Sequence, residues 1–282
     1  MALSLEKLGT RYDPRAAIID ADRVRAYTAA TNDANPAYLA GKYAPPVFAV
    51  VPTWDAMMVA LHDVIPAADQ VAMLHAEQDM HFHQPLVPGQ SLSTWAQAFG
   101  MRSGRMGTRF TMRVVSEDQS GDLVIEQFAT MLIRGVDPVD DGGEVPPSHA
   151  FPSDAKSAKV AELASTVDVD QALRYAEASG DRNPIHVDDD AAKAVGLPGV
   201  ILHGMCTMAL CGRALVDELA GGDPTRLRRL AVRFYRPVFP GADLVTTVYD
   251  AGTEGGRRIL AFEASSAGKV VVRDGRAEVE SV

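Results

Sequence analysis

The amino-acid sequence contains an internal repeat with a period of about 150 residues, and this repeat limits the folds open to the chain. Three blocks recur in the same order: residues 27–36 match 175–184, residues 45–47 match 198–200, and residues 82–89 match 234–241. A unit of this length exceeds a solenoid repeat of roughly 20–50 residues but has the size of a domain. We therefore predict two related domains, residues 1–136 and 159–282, joined by a linker over residues 137–158 that is rich in proline, glycine and aspartate.

Both halves of the sequence have the same predicted order of secondary structure. A short helix, with Asp20 or Asp168 as its candidate N-cap, precedes an Asn-Pro turn and a strongly apolar helix, 47–65 in the first half and 203–219 in the second. Alternating apolar and polar residues then predict antiparallel strands, in the second half over 227–236, 244–249, 258–265 and 270–279. An antiparallel sheet wrapped around one buried helix is the plan of the hotdog fold. The predicted fold class is α+β, a double hotdog.

Charge and cysteine content narrow the class of protein. The chain has 27 basic and 37 acidic residues, a formal charge of −10, which disfavours a nucleic-acid partner because phosphate binding needs a basic face. Its two cysteines, Cys206 and Cys211, cannot form a disulfide framework. The N terminus lacks the apolar core of a signal peptide, and no apolar run reaches the ~18 residues of a membrane span. We therefore expect a cytoplasmic protein without a membrane span.

Two motifs of the second half carry a resemblance to a known family. Residues 179–186 read Ser-Gly-Asp-Arg-Asn-Pro-Ile-His, and residues 202–207 read Leu-His-Gly-Met-Cys-Thr at the start of the apolar helix. These blocks resemble the MaoC-like, or hydratase-2, family of (R)-specific enoyl-thioester hydratases, whose motif is a Gly-Asp-x-Asn-Pro-aliphatic-His run. The first half looks like a degenerate copy of the same domain, so the resemblance spans both repeats.

The resemblance implies that Asp181 and His186 form a catalytic dyad. Hydration of an α,β-unsaturated thioester needs a base for the water, an acid for the α-carbon and a group that holds the charge on the thioester oxygen. A carboxylate and an imidazole on one proline turn can act on the same water. We expect Asn183 to fix the loop or orient that water, and Gly204 to offer a free helix N–H to the oxyanion. His203 is expected to be a hydrogen-bonding residue at the helix start rather than a second base.

The first half lacks one member of this dyad. It keeps Asp33, Asn35 and Pro36 but has Tyr38 at the position of His186. Because a dyad without its histidine should be inactive, we expect Asp33 to be structural. The sequence thus predicts one catalytic site per chain.

Two further clusters of ionisable residues have alternative interpretations. Among the arginines of segment 228–236, Arg233 and Arg236 are candidates for binding the phosphates of coenzyme A, and the alternative is a solvated strand face. The alternating histidines and acids of segment 75–83 allow a His-x-His metal site, but we interpret them as the strand face directed away from the helix. We predict no metal and no cofactor, since coenzyme A would be part of the substrate.

The resemblance implies a lyase of fatty acid metabolism that hydrates 2-enoyl-CoA to (R)-3-hydroxyacyl-CoA or catalyses the reverse dehydration. The expected substrate is an acyl-CoA or acyl-carrier-protein thioester, and the expected assembly is a homodimer. Two alternatives remain, namely an acyl-CoA thioesterase on the same fold and a non-catalytic acyl-thioester-binding protein. The presence of both Asp181 and His186 argues against each of them.

Overall fold

A computed structural model describes residues 3–70, 73–135, 140–152 and 154–281. The helices are α1 (Ala21–Ala30), α2 (Pro36–Leu39), α3 (Val50–Val64), α4 (Ala67–Gln70), α5 (Gln171–Ser179), α6 (Asp189–Ala194) and α7 (Gly204–Leu219). The strands are β1 (Arg15–Ile18), β2 (Met73–Phe82), β3 (Ser91–Gly104), β4 (Gly107–Glu117), β5 (Leu123–Ile133), β6 (Gly142–Gly143), β7 (Lys159–Thr166), β8 (Leu227–Phe234), β9 (Asp243–Glu254), β10 (Arg257–Ser266) and β11 (Lys269–Glu280). The chain forms two compact units.

The first unit comprises Met1–Ile18, Pro52–Gln84 and Ser91–Ser148. Its strands are antiparallel neighbours in the order β1-β3-β4-β5-β2, and β6 pairs with β3. Helix α3 and the sheet share one buried apolar cluster, which includes Met57, Leu61 and Val64 of the helix and Phe110, Met112, Ala129 and Met131 of the strands. This unit therefore has the predicted combination of a central apolar helix and an antiparallel sheet.

The apolar helix of the first half also meets the length and composition of a membrane span. The stretch Pro46–Val64 passes that test, but 61% of its apolar window is buried inside the protein. A buried core helix satisfies the same criteria, and part of this helix belongs to the core of the first unit. We therefore assign it as a core helix.

The second unit comprises Ile19–Val51, Pro85–Gln90 and His149–Val282. Its strands are antiparallel neighbours in the order β8-β11-β10-β9-β7. Helix α7 is buried over most of its length, and its two cysteines are buried and free. The helix lies close to the sheet, because a Cβ at Gly212 would be 3.0 Å from Leu230 of β8 and the hydroxyl of Thr246 in β9 lies 3.5 Å from Sγ of Cys211. This unit repeats the plan of the first.

The two predicted helix caps have different outcomes. Asp20 caps α1 as predicted, since its side chain accepts a hydrogen bond from the Arg23 N–H. The prediction for Asp168 is wrong, because α5 begins after Asp170. The Asp168 carboxylate instead accepts hydrogen bonds from the side chains of Asn32 and Arg174.

The polar cluster of segment 75–83 lies largely on β2, but its face is not uniformly exposed. A register shift between His75 and Glu77 interrupts the alternation of the strand. Asp79 is buried, and its carboxylate lies 3.2 Å from Nε2 of His81. The pattern of ionisable residues alone therefore did not predict where the strand is covered.

The domain boundaries stay a prediction. The predicted boundary between residues 136 and 137 lies outside the described residues. Within the predicted linker lie the two-residue strand β6 and a short 3-10 turn at Ala155–Ser157, and β7 begins at Lys159.

Candidate active site

The site begins at the turn that follows α5. Gly180 ends this helix with a φ of +85°, a left-handed conformation that glycine adopts without steric cost. Two side chains then shape the turn: the Asp181 carboxylate accepts from the Asn183 N–H at 3.1 Å, and the Asn183 amide oxygen accepts from the Ile185 N–H at 3.4 Å. Pro184 opens a single 3-10 turn that ends at His186. The motif thus folds locally and places the carboxylate and the imidazole on one rigid loop.

The imidazole of His186 is buried and held in one tautomer. The side chain is 8% exposed, and its Nδ1 lies 2.9 Å from the carbonyl oxygen of Ile201. Because a carbonyl only accepts, Nδ1 carries the proton of the neutral ring and Nε2 keeps a lone pair. Burial lowers the pKa of His186, which favours the neutral form. The ring is therefore a base with its acceptor nitrogen at Nε2.

Asp181, His186 and His203 form the central cluster. One carboxylate oxygen or ring nitrogen from each residue lies within 4.8 Å of the others. The rings of His186 and His203 stack, with centroids 3.8 Å apart and planes inclined by 25°. Nε2 of His203 lies 2.9 Å from the backbone carbonyl oxygen of Asp181, to which it donates. The structure therefore brings the two predicted dyad residues together with a third residue.

The cluster holds three residues of the two types, imidazole and carboxylate, that bind zinc. Zinc ligands bond at roughly 2.0–2.2 Å from the metal, which places tetrahedral ligand atoms roughly 3.5 Å apart. The three ligand atoms lie within 4.8 Å of one another, but Nδ1 of His186 and Nε2 of His203 already bond to backbone carbonyl oxygens. We therefore read the cluster as acid–base groups, and the absence of a metal site stays a prediction.

Asn183 and Gly204 occupy the predicted loop and helix-start positions. The Asn183 side chain caps the 3-10 turn. Of the two roles predicted for it, fixing the loop and orienting the water, this contact corresponds to the first. Gly204 is the first residue of α7, so its N–H is among those without a partner inside the helix. A Cβ at Gly204 would lie 3.3 Å from the ring of Phe234. Glycine therefore lets the Phe234 ring lie directly against the start of α7.

The predicted arginines differ in their surroundings. Arg233 forms an ion pair with Asp274 at 2.8 Å. Arg236 is exposed, donates to the Val270 carbonyl oxygen at 3.2 Å, and has its guanidinium 4.4 Å from the ring centroid of Tyr235. The guanidinium of Arg273 lies 3.4 Å from the same centroid. Sequence analysis missed Arg273, because only the pairing of β11 with β8 brings it to this end of the sheet.

The degenerate motif of the first half is buried against α7. Asp33 and Tyr38 line a small cavity together with Arg213 of that helix. Burial raises the pKa of Asp33 to about 6, and its carboxylate accepts from the Asn35 N–H at 3.0 Å. The turn therefore keeps the hydrogen bond of its counterpart in the second half, but it belongs to a packed interior.

Comparisons with known proteins match both halves of the chain. Residues 151–270 match the family described as MaoC like domain, and residues 6–127 match the FAS1-like, dehydratase domain region. The 3-hydroxyacyl-thioester dehydratase Y of Mycobacterium tuberculosis is 35% identical over 216 residues, which cover 73% of this chain and 72% of the relative. The peroxisomal enoyl-CoA hydratase 2 of Arabidopsis thaliana is 29% identical over 192 residues, 65% of this chain and 62% of the relative. The match thus spans less than two thirds of the plant protein.

Solved structures support the fold. A MaoC-like dehydratase from Phytophthora capsici superposes with a TM-score of 0.87 at 24% identity and covers 99% of this chain and 98% of its own. A Mycobacterium tuberculosis protein described as a double hotdog has a TM-score of 0.62 at 14% identity, with 98% and 97% coverage. The predicted double hotdog is therefore confirmed.

Proposed function

Since the chain belongs to the MaoC-like family of enoyl-CoA hydratases and 3-hydroxyacyl-thioester dehydratases, which are lyases, we propose that it adds water to 2-enoyl-CoA and forms (R)-3-hydroxyacyl-CoA, or catalyses the reverse dehydration. The observation that carries this proposal is the bond from His186 Nδ1 to the Ile201 carbonyl. It leaves Nε2 as the acceptor nitrogen of a neutral imidazole that lies in one cluster with the Asp181 carboxylate. A water between these groups has a base and an orienting anion.

The proposed reaction uses residues of one loop and one helix start. His186 Nε2 takes a proton from the water as the water oxygen bonds to C3 of the enoyl chain, and the π electrons of the C2–C3 double bond move toward the thioester carbonyl. Negative charge then develops on the thioester oxygen, which the N–H of Gly204 at the positive end of α7 stabilises. The dyad of Asp181 and His186 returns one proton to C2. Water is added across the double bond, and the thioester stays intact.

We further propose that Arg236, with Arg233, binds the phosphates of coenzyme A. Support comes from the segment that carries them: the carbonyl of Val238 accepts from the Leu202 N–H at 2.8 Å, so this segment lies beside the helix start that holds Gly204. Arg236 is exposed and held by Val270 and Tyr235, whereas Arg233 shares its charge with Asp274. An acyl-carrier-protein thioester is the alternative substrate, and we propose no bound cofactor.

Product analysis tests the proposed reaction. Incubation of the full chain with crotonyl-CoA and water should yield 3-hydroxybutyryl-CoA with the R configuration, identified by chiral chromatography. A thioesterase would instead release free thiol, which a thiol reagent detects in the same sample. Release of thiol without hydroxyacyl product, or no conversion at all, would overturn the proposal.

Two predictions from the sequence concern the protein beyond its active site. We propose a homodimer, which light scattering of the purified chain tests. We also propose a cytoplasmic location, which fractionation of the source cells tests.

A further inference from the structure

Both members of the dyad are tied to one short segment, residues 201–203, which leads into α7. The Ile201 carbonyl accepts from His186 Nδ1 at 2.9 Å, and His203 Nε2 donates to the Asp181 carbonyl at 2.9 Å. The segment itself is anchored, because the Leu202 N–H donates to the Val238 carbonyl at 2.8 Å. Segment 201–203 therefore holds the Asp181 main chain and the His186 ring from outside the loop that carries them.

His203 fills the space between this loop and α5. Its side chain is 1% exposed, its ring stacks on His186, and its ring centroid lies 4.8 Å from that of Tyr175. Burial, together with the charge that His186 carries when protonated, lowers the pKa of His203, so the ring stays neutral. His203 also occupies the N-cap position of α7, yet its side chain does not cap the helix. The one hydrogen bond of this side chain among the described residues goes to the main-chain carbonyl of Asp181.

The turn does not need a histidine in order to form. In the first half, Asn35 N–H donates to the Asp33 carboxylate at 3.0 Å, and the Ala37 N–H donates to the Asn35 amide oxygen at 3.0 Å. These bonds repeat those of the second half. The matching blocks 45–47 and 198–200 place Val50 at the position of His203. The same turn therefore folds with valine there.

The two halves differ instead at the positions that serve the reaction. His186 corresponds to Tyr38, His203 to Val50 and Gly204 to Val51, whereas the aspartate, asparagine and proline of the turn are present in both halves. The residue at position 203 thus differs together with the base and with the glycine at the helix start. This grouping assigns His203 to the chemistry rather than to the fold.

We propose that His203 is a positioning residue of the dyad, which holds the Asp181 main chain with its N–H and the His186 ring with its face. The inference rests on the proposed hydration. His203 acts through Asp181 and His186, so it should affect kcat more than KM. The two contacts are separable, because a phenylalanine keeps a flat ring without the N–H, and a glutamine keeps an N–H donor near the place of Nε2 without the ring.

The test compares His203→Phe, His203→Gln and the wild type in hydration of crotonyl-CoA. We expect His203→Phe to lower kcat by at least tenfold with KM within about threefold, and His203→Gln to recover part of that loss. If the phenylalanine variant does not fold, His203→Met replaces it, since methionine fills similar space without a donor. Wild-type kcat in the folded phenylalanine or methionine variant would overturn the inference.

A matched control separates positioning from general packing. Val50→Ala alters the corresponding position of the first half, which is also buried. We expect it to lower the melting temperature and to leave kcat unchanged. A kcat loss in Val50→Ala equal to that of His203→Phe would overturn the inference, because packing alone would then explain both. If the wild-type chain does not hydrate the substrate, the proposed function itself fails. If the wild type hydrates it and His203→Phe is equally fast, only the inference about His203 fails.

Discussion

Nδ1 of His186 lies 2.9 Å from the carbonyl oxygen of Ile201, and this contact determines which form of the ring the site uses. The neutral ring keeps its lone pair at Nε2, and burial lowers the pKa of His186 below its ordinary value of about 6.5. A base with a lowered pKa becomes protonated, and so loses activity, only when the pH falls below the pKa of an ordinary histidine. We therefore predict that the acid limb of kcat/KM has its midpoint below about pH 6.5. A midpoint above this value, measured on protein that stays folded, would contradict the assignment of His186.

Gly204→Ala tests the helix start. The added methyl group would lie 3.3 Å from the Phe234 ring, so the ring or the helix start must shift by a few tenths of an ångström, and a shift of the helix start displaces the Gly204 N–H. Loss of an oxyanion donor typically lowers kcat about 10²–10³-fold, and a displaced donor should lower it by about tenfold or more. Gly212→Ala is the matched control on the same helix, because its Cβ would lie 3.0 Å from Leu230. We expect the control to lower the melting temperature and retain kcat; equal kcat losses in both would exclude a specific role for Gly204.

Arg236→Ala tests whether Arg236 binds the phosphates of coenzyme A. A charge-assisted hydrogen bond contributes about 1.5–3 kcal/mol, so its loss should raise KM for crotonyl-CoA by about tenfold or more. A truncated crotonyl thioester without phosphates should be hydrated equally well by variant and wild type. Arg233→Ala should show a smaller rise, since Asp274 already pairs with that side chain. Arg25→Ala, an exposed arginine paired with Asp22, is the control of equal charge. An equal effect of Arg236→Ala on both thioesters would rule out phosphate binding.

Asp33→Asn tests the buried turn of the first half through stability. The folded pKa of Asp33, raised to about 6, lies above its unfolded value of about 3.8, so the protein loses stability as the pH rises between these values. Asparagine keeps the acceptor for the Asn35 N–H and carries no charge. We expect the variant to be more stable by up to about 3 kcal/mol above pH 7 and equally stable near pH 4. Denaturant unfolding at both pH values measures this; a destabilised variant at pH 8 would contradict a buried, unfavourable charge.

Local features of the site could be predicted from sequence, because short-range chemistry determines them. The turn from Gly180 to His186 is shaped by a left-handed glycine, two side-chain acceptors and a proline, all of which are visible in the motif. The helix at Gly204 was predicted from its apolar pattern to within one residue. The repeat likewise predicted a sheet and a central helix in each half.

Contacts between distant segments could not be predicted in the same way. The hydrogen bond between His203 and Asp181 spans 22 positions, and Arg273 reaches Tyr235 only through strand pairing. Burial of Asp33 against α7 brings a segment of the first half into the second unit, which the offset between repeats does not reveal. These features depend on tertiary packing. A single sequence does not show which distant segments pair or pack against each other.

The turnover of Asp181→Asn and His186→Ala on crotonyl-CoA tests the central claim most directly. General acid–base groups contribute about 10²–10⁴-fold, so each folded variant should lose at least about 100-fold in kcat. Because both residues act on one water, the double variant should be little slower than either single one. Tyr38→Phe, at the matching position of the first half, should keep the wild-type kcat. We predict this pattern with melting temperatures near that of the wild type, and near-normal turnover in either folded single variant would contradict the assignment of the dyad.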